Sequence, residues 1–150
     1  MATDGIVLEP VRRAAREVAI GDVVIGGARP IAVQSMTTTR TSDAAATAAQ
    51  IAALARAGCE IVRVTVPGRP DAEALPEIRA ILAREGIRVP LVADIHFTPH
   101  LALKVVEHVE KVRVNPGNFA DKKSLAGDAY DERRFERDLE RLYELFAPLV

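Results

Sequence analysis

Four short aliphatic runs, PIAVQSM, EIVRVTV, PLVADIHF and KVRVN, alternate with stretches whose apolar residues recur at helical spacing. This alternation constrains the fold more than any other feature of the chain. Strands joined by crossovers of helix length pair in parallel, and such units are right-handed, which leaves a doubly wound sheet or a (β/α)8 barrel. The strand faces separate the two. A period of two puts Val62, Val64 and Val66 on one side and Ile61, Arg63 and Thr65 on the other; Val112 and Val114 stand opposite Arg113 and Asn115 in the same way. The aliphatic face meets helices, and the polar face points to a barrel axis at the strands' C-terminal ends, where such barrels carry their chemistry. A complete barrel takes about 250 residues. The expected fold is therefore a TIM-type (β/α)8 barrel of which a hairpin and about the first four βα units are present, the chain being cut after its fourth helix.

Within that frame, EVAI-GD-VVIGG reads as a hairpin turning at Gly21-Asp22, followed by the strand PIAVQSM. Ser42-Asp43 opens a helix with Ala46, Ala49, Ile51, Leu54 and Ala57 as its apolar face, and Gly58 ends it. The next helix carries Leu75, Ile78, Ile81 and Leu82 and ends at Gly86, with Pro76 marking a break or restart near its first turn. Thr98-Pro99 is a cap followed by a first-turn proline, leading a helix through Leu101, Leu103 and Val106. From about Asp131 a last helix places Phe135, Leu139, Leu142 and Phe146 on one stripe. Residues 1–11 read as a disordered tail, and residues 12–150 as the N-terminal half of the barrel domain.

Composition narrows the function. The chain carries 20 basic and 21 acidic residues, a net charge of -1, and no basic run, which argues against a nucleic-acid partner. No apolar stretch approaches the roughly 20 residues that span a bilayer, and the first residues resemble no secretory or transit signal. Cys59 is the single cysteine, so these 150 residues offer neither a disulfide framework nor a multi-cysteine metal site. The expected setting is cytoplasmic and reducing.

The inward residues near the strand ends are Gln34, Arg63, Thr65, Asp94, His96, Arg113 and Asn115. Two guanidiniums at equivalent places on two strands suit a diphosphate, because their planar forks match phosphate oxygens and keep their charge. The alternative for the arginines is bridging to a barrel acid such as Asp94; the repeated VRV pattern favours the anion. Asp94 and His96, two apart on one strand face, form a polar pair able to hold ligand hydroxyls or move a proton, or a structural hydrogen-bonded pair. They do not suffice as a metal site. His100 and His108 are expected to face solvent, Cys59 to be a small packed residue, and Lys122 and Lys123 to belong to a solvated loop. No catalytic residue is assigned.

The segments GGARPIAVQSMTTT, AGCEIVRVTVP, VPLVADIHF and VRVNPGNFADKK, in this order, resemble the N-terminal barrel of the 4-hydroxy-3-methylbut-2-enyl diphosphate synthases, iron-sulfur enzymes of the methylerythritol phosphate route to isoprenoids. The resemblance covers roughly residues 12–150, and the NFADKK loop looks most like the larger plant and chlamydial form. It implies an oxidoreductase that reductively opens 2-C-methyl-D-erythritol 2,4-cyclodiphosphate, using a 4Fe-4S cluster bound by a C-terminal domain absent from this chain and electrons from flavodoxin or ferredoxin. By the same resemblance Arg63 and Arg113 clamp the diphosphate, and Asp94, His96 and Asn115 contact the polyol end. Thr38 stands where the family often has Asn. The chain alone is expected to be inactive.

Two other readings compete: a dihydropteroate synthase-like barrel that also binds a diphosphate, and a non-catalytic half-barrel acting only by assembly. The open strand edges of a half-barrel invite association, giving either a low-stability monomer or a homodimer.

Overall fold

The computed structural model describes residues 13–96, 98–115 and 132–149. The tail expected over residues 1–11 and the loop with Lys122 and Lys123 lie outside them. The first elements are β1 (Val18–Ile20) and β2 (Val23–Ile25), an antiparallel pair. They turn at Gly21-Asp22, where Gly21 has φ +57° and a Cβ would meet Pro90 and Glu110 side chains at 3.2 Å. Glycine suits this turn because it takes the left-handed conformation without steric cost and lets the hairpin approach the sheet closely.

Strands β3 (Gln34–Met36), β4 (Ile61–Thr65), β5 (Leu91–Ile95) and β6 (Lys111–Val114) form one parallel sheet in chain order. A doubly wound sheet reverses its strand order at a switch point. Among the described residues the order never reverses, which is the progression of a barrel wall.

The two faces of this wall are packed by different partners. Outward, Val62, Val64, Val66, Leu91, Ala93 and Ile95 join the buried sides of α1 (Ala44–Arg56), α2 (Arg69–Arg84) and α3 (Pro99–Val105). Inward, at the strands' N-terminal ends, Ile61 and Val92 bury with Ile20 of the hairpin. The hairpin is thus the floor of the half-barrel, and the polar inward residues lie above it.

Two of the three strand pairs, β3 with β4 and β5 with β6, are also clasped at their start. The Glu60 carboxylate accepts from the Val33 N–H at 2.8 Å, and the Val33 carbonyl accepts from the Glu60 N–H at 2.9 Å. Glu110 repeats this on Leu91, at 2.7 and 3.1 Å. Glu110 is further fixed by Arg79, which ion-pairs with it and donates to the His108 carbonyl at 2.8 Å.

Several helix details differ from expectation. In α1 the buried residues are Ala44, Thr47, Ala48, Ile51 and Ala52, whereas Ala49 and Ala57 are exposed. Alanine is so small and so frequent here that it marks no face; Ile51, with Leu54 packed beside the core, orients the helix. Asp43 does cap α1, accepting from the Ala46 N–H at 3.1 Å, and Gly58 follows its end with φ +98°. Helix α2 runs through Pro76 without a break. The proline ring stands on the exposed side, and its cost of about 3 kcal/mol is offset by burial of Leu75, Ile78 and Leu82, at about 1.5–3 kcal/mol each.

Thr98 precedes α3 as its cap, but its side chain makes no capping hydrogen bond, and the helix tightens into a 3-10 turn at Val106–His108. The buried residues are Leu101, Ala102 and Val105; Leu103 and Val106 are exposed, because so short a helix has room for a single narrow contact stripe. Helix α4 (Glu132–Phe146) engages the core through Leu145 and Phe146, together with Leu149 beyond it, while Phe135 and Leu139 near its start are about half exposed.

Candidate functional site at the barrel mouth

The inward face above the floor is set by strand register. Met36 lies beside Arg63, Thr65 beside Asp94, and Asp94 beside Arg113. Arg63 itself lies beside Val92, one pleat repeat below Asp94 and Arg113, so three neighbouring strands bring the two arginines to the acid from two successive levels.

Asp94 is the centre of this group. Its Oδ1 accepts from Arg113 Nη1 at 3.0 Å, and its Oδ2 lies 3.4 Å from Arg63 Nε. His96 Nε2 is 3.2 Å from the same Oδ1 and 3.1 Å from Arg113 Nη1. The carboxylate is 2% exposed, whereas the arginine side chains are 32% and 38% exposed. A buried carboxylate requires this many donors, since an unpaired charge in such a place would be strongly disfavoured. The imidazole has two states compatible with the distances. Carrying its proton on Nδ1, it accepts at Nε2 from Arg113; carrying it on Nε2, it donates to Asp94.

Charge counting shows what remains available. Two guanidiniums face one carboxylate, so Arg63, Asp94 and Arg113 together keep one positive charge, and it resides on the partly exposed partners. The expected bridging to Asp94 is present for both arginines, and both side chains remain partly exposed.

Of the residues expected to converge, Arg63, Asp94, His96 and Arg113 come together, and Thr65 is Asp94's neighbour across β4 and β5. Asn115 immediately follows β6 on the mouth side. Gln34 does not join them. It pairs in register with Ile61 and lines a floor hollow with Ile20, Ile25 and Lys111, because it lies one full pleat repeat before Met36. The inward residue of β3 at the level of Arg63 is Met36, whose Sδ lies 3.4 Å from Arg63 Nε. The period of two in PIAVQSM puts Gln34 and Met36 on one face, and register with Arg63 identifies Met36.

The loop after β3 is held rigidly beside this group. Gln50 of α1 accepts from the Thr38 and Thr39 N–H groups at 2.9 and 3.2 Å and donates to the Thr38 hydroxyl at 3.0 Å.

An iron-sulfur cluster does not fit these residues. Such clusters need several thiolates, and Cys59 precedes β4 at the floor end, packed against the helix-side core. His100 of α3 is exposed and His108 half-buried. No group of three or more His, Cys, Asp or Glu side chains suited to a metal ion occurs among the described residues. Nor, among them, is any helix long and apolar enough to cross a membrane.

Comparison with known proteins agrees with the barrel geometry. Over 139 residues the chain is 56% identical to a Leptospira interrogans protein named 4-hydroxy-3-methylbut-2-en-1-yl diphosphate synthase (flavodoxin), covering 93% of this chain and 21% of the relative. Proteins of the same name from Protochlamydia amoebophila and Chlorobaculum tepidum are 51% and 48% identical, again over 93% of the chain and 21% and 19% of their own lengths. The chain thus spans about a fifth of the length of these curated relatives. Residues 15–134 match the GcpE TIM-barrel domain, and the chain belongs to that family.

Proposed function

We propose that this half-barrel supplies part of the pocket for a cyclic diphosphate in a 4-hydroxy-3-methylbut-2-enyl diphosphate synthase. The observation that carries the reading is the surplus positive charge of Arg63 and Arg113 around buried Asp94 at the strands' C-terminal ends. Their free guanidinium edges grip the diphosphate, and Asn115 and His96 reach the polyol. Asp94, nearly sealed from solvent, acts on the ligand by fixing both arginines.

The reaction proposed for the complete enzyme is reductive opening of 2-C-methyl-D-erythritol 2,4-cyclodiphosphate, in a cytoplasmic setting and with flavodoxin as electron donor. The names of the relatives support this substrate class and donor. The 4Fe-4S cluster belongs to residues other than these, in keeping with the misfit of Cys59. Fixed guanidiniums lower the cost of binding because they are oriented before the ligand arrives.

The test is binding of the cyclic diphosphate to a complete synthase carrying this barrel, by calorimetry. Arg63→Ala and Arg113→Ala should each weaken binding by one to two decades, the value of about 1.5–3 kcal/mol for a charge-assisted contact. Unchanged affinity with a much lower melting temperature would make the arginines purely structural.

A further inference from the structure

The half-barrel is built from two strand pairs that repeat the same contacts. Val33 and Leu91 are clasped by Glu60 and Glu110; three residues later Met36 and Asp94 lie beside Arg63 and Arg113. Each arginine therefore reaches back one strand to the inward residue at its own level. In the second pair that residue is an acid, and in the first it is a thioether.

Arg63 Nε stands 3.4 Å from Met36 Sδ and 3.4 Å from Asp94 Oδ2. A thioether is a weak acceptor without charge, so it can turn the Nε edge of the guanidinium toward β3 while leaving its charge unneutralised. An acid at position 36 would complete a second pair like Arg113 and Asp94. The mouth would then hold two guanidiniums and two carboxylates, with no surplus charge for an anion.

We infer that Met36 positions Arg63 and, by being uncharged, sets the surplus positive charge that selects a polyanionic ligand. The inference rests on the anion-binding reading above and adds to it the residue that keeps the site cationic. Met36 touches the arginine, not the ligand; it is a positioning residue.

The experiment uses a complete synthase carrying this barrel, inorganic pyrophosphate as the probe, and nitrogen-15 resonances of the arginine Nε–H groups. Met36→Leu should shift the Arg63 Nε–H signal and leave that of Arg113 in place. Met36→Asn and Met36→Asp have nearly the same shape and differ in charge. The Asn variant should bind pyrophosphate within about threefold of the parent and the Asp variant about tenfold or more weakly. Equal binding by the Asn and Asp variants, or an unmoved Arg63 signal in Met36→Leu, would overturn the inference. If the parent synthase binds no pyrophosphate, the anion-binding reading falls, whereas the contact of Met36 on Arg63 is still decided by the Nε–H signal.

Discussion

Arg113 Nη1 and Asp94 Oδ1, 3.0 Å apart, tie β6 to β5 at the mouth, and the two partners differ sharply in exposure. Removing the arginine leaves Asp94 with Arg63 and His96. Removing the acid leaves two guanidiniums facing each other. Asp94→Asn should therefore destabilise the chain by about 1–3 kcal/mol, more than Arg113→Ala does, as measured by urea unfolding. A larger loss in Arg113→Ala would show that Arg63 gives Asp94 no support.

The same asymmetry can be read as a coupling energy. In a double-mutant cycle on Arg113→Ala and Asp94→Asn, the pair should couple by about 1 kcal/mol or more. A cycle closing to within about 0.3 kcal/mol would place the pair among ordinary surface ion pairs. Arg113→Lys should recover part of the coupling and less of the anion affinity, since an ammonium cannot present a planar fork.

Ile20 should matter to the sheet although it belongs to the hairpin. It is buried with Ile61 and Val92, and Ile20→Ala should cost about 2–4 kcal/mol. Chemical-shift changes are expected at the floor residues and not at Arg113. A cost below about 0.5 kcal/mol would mean that the hairpin is a loose appendage.

The Glu110 clasp should be visible in hydrogen exchange. Glu110→Ala removes the acceptor of the Leu91 N–H and the ion-pair partner of Arg79, so the Leu91 amide should exchange at least about tenfold faster, the equivalent of about 1.4 kcal/mol. The Val33 amide, held by Glu60, should be unaffected. Equal acceleration at both amides would indicate global rather than local opening.

Anaerobic incubation of this chain with iron and sulfide should yield no stoichiometric visible absorption, because Cys59 is its single cysteine. Replacing Cys59 by Ser should leave the spectrum of the treated sample unchanged. A cluster that forms with the parent and disappears in the variant would overturn this expectation.

The barrel wall was legible in sequence because Val62, Val64 and Val66 alternate with polar residues, and period two assigns faces without knowledge of register. What remained hidden depends on register or on weak markers. Gln34 and Met36 share a face, and only pairing with Ile61 and Arg63 separates floor from mouth. The buried side of α1 could not be chosen among so many alanines. Pro76 ends a helix on propensity, yet a proline on the outer side of a well-packed helix interrupts little else. The bridging of both arginines to Asp94 was recognised as an alternative to anion binding, but the two are compatible once partial exposure is known.

Strand order in the sheet equals chain order, and this bears on how the protein can form during synthesis. Each of β4, β5 and β6 finds its partner in the strand that emerged from the ribosome before it, at translation speeds of about 5–20 residues per second. Because the hairpin comes first, a surface for the floor exists before Ile61 and Val92 arrive to cover it. Among the described strands each new one adds to the edge left by its predecessor, so the nascent wall can grow one βα unit at a time.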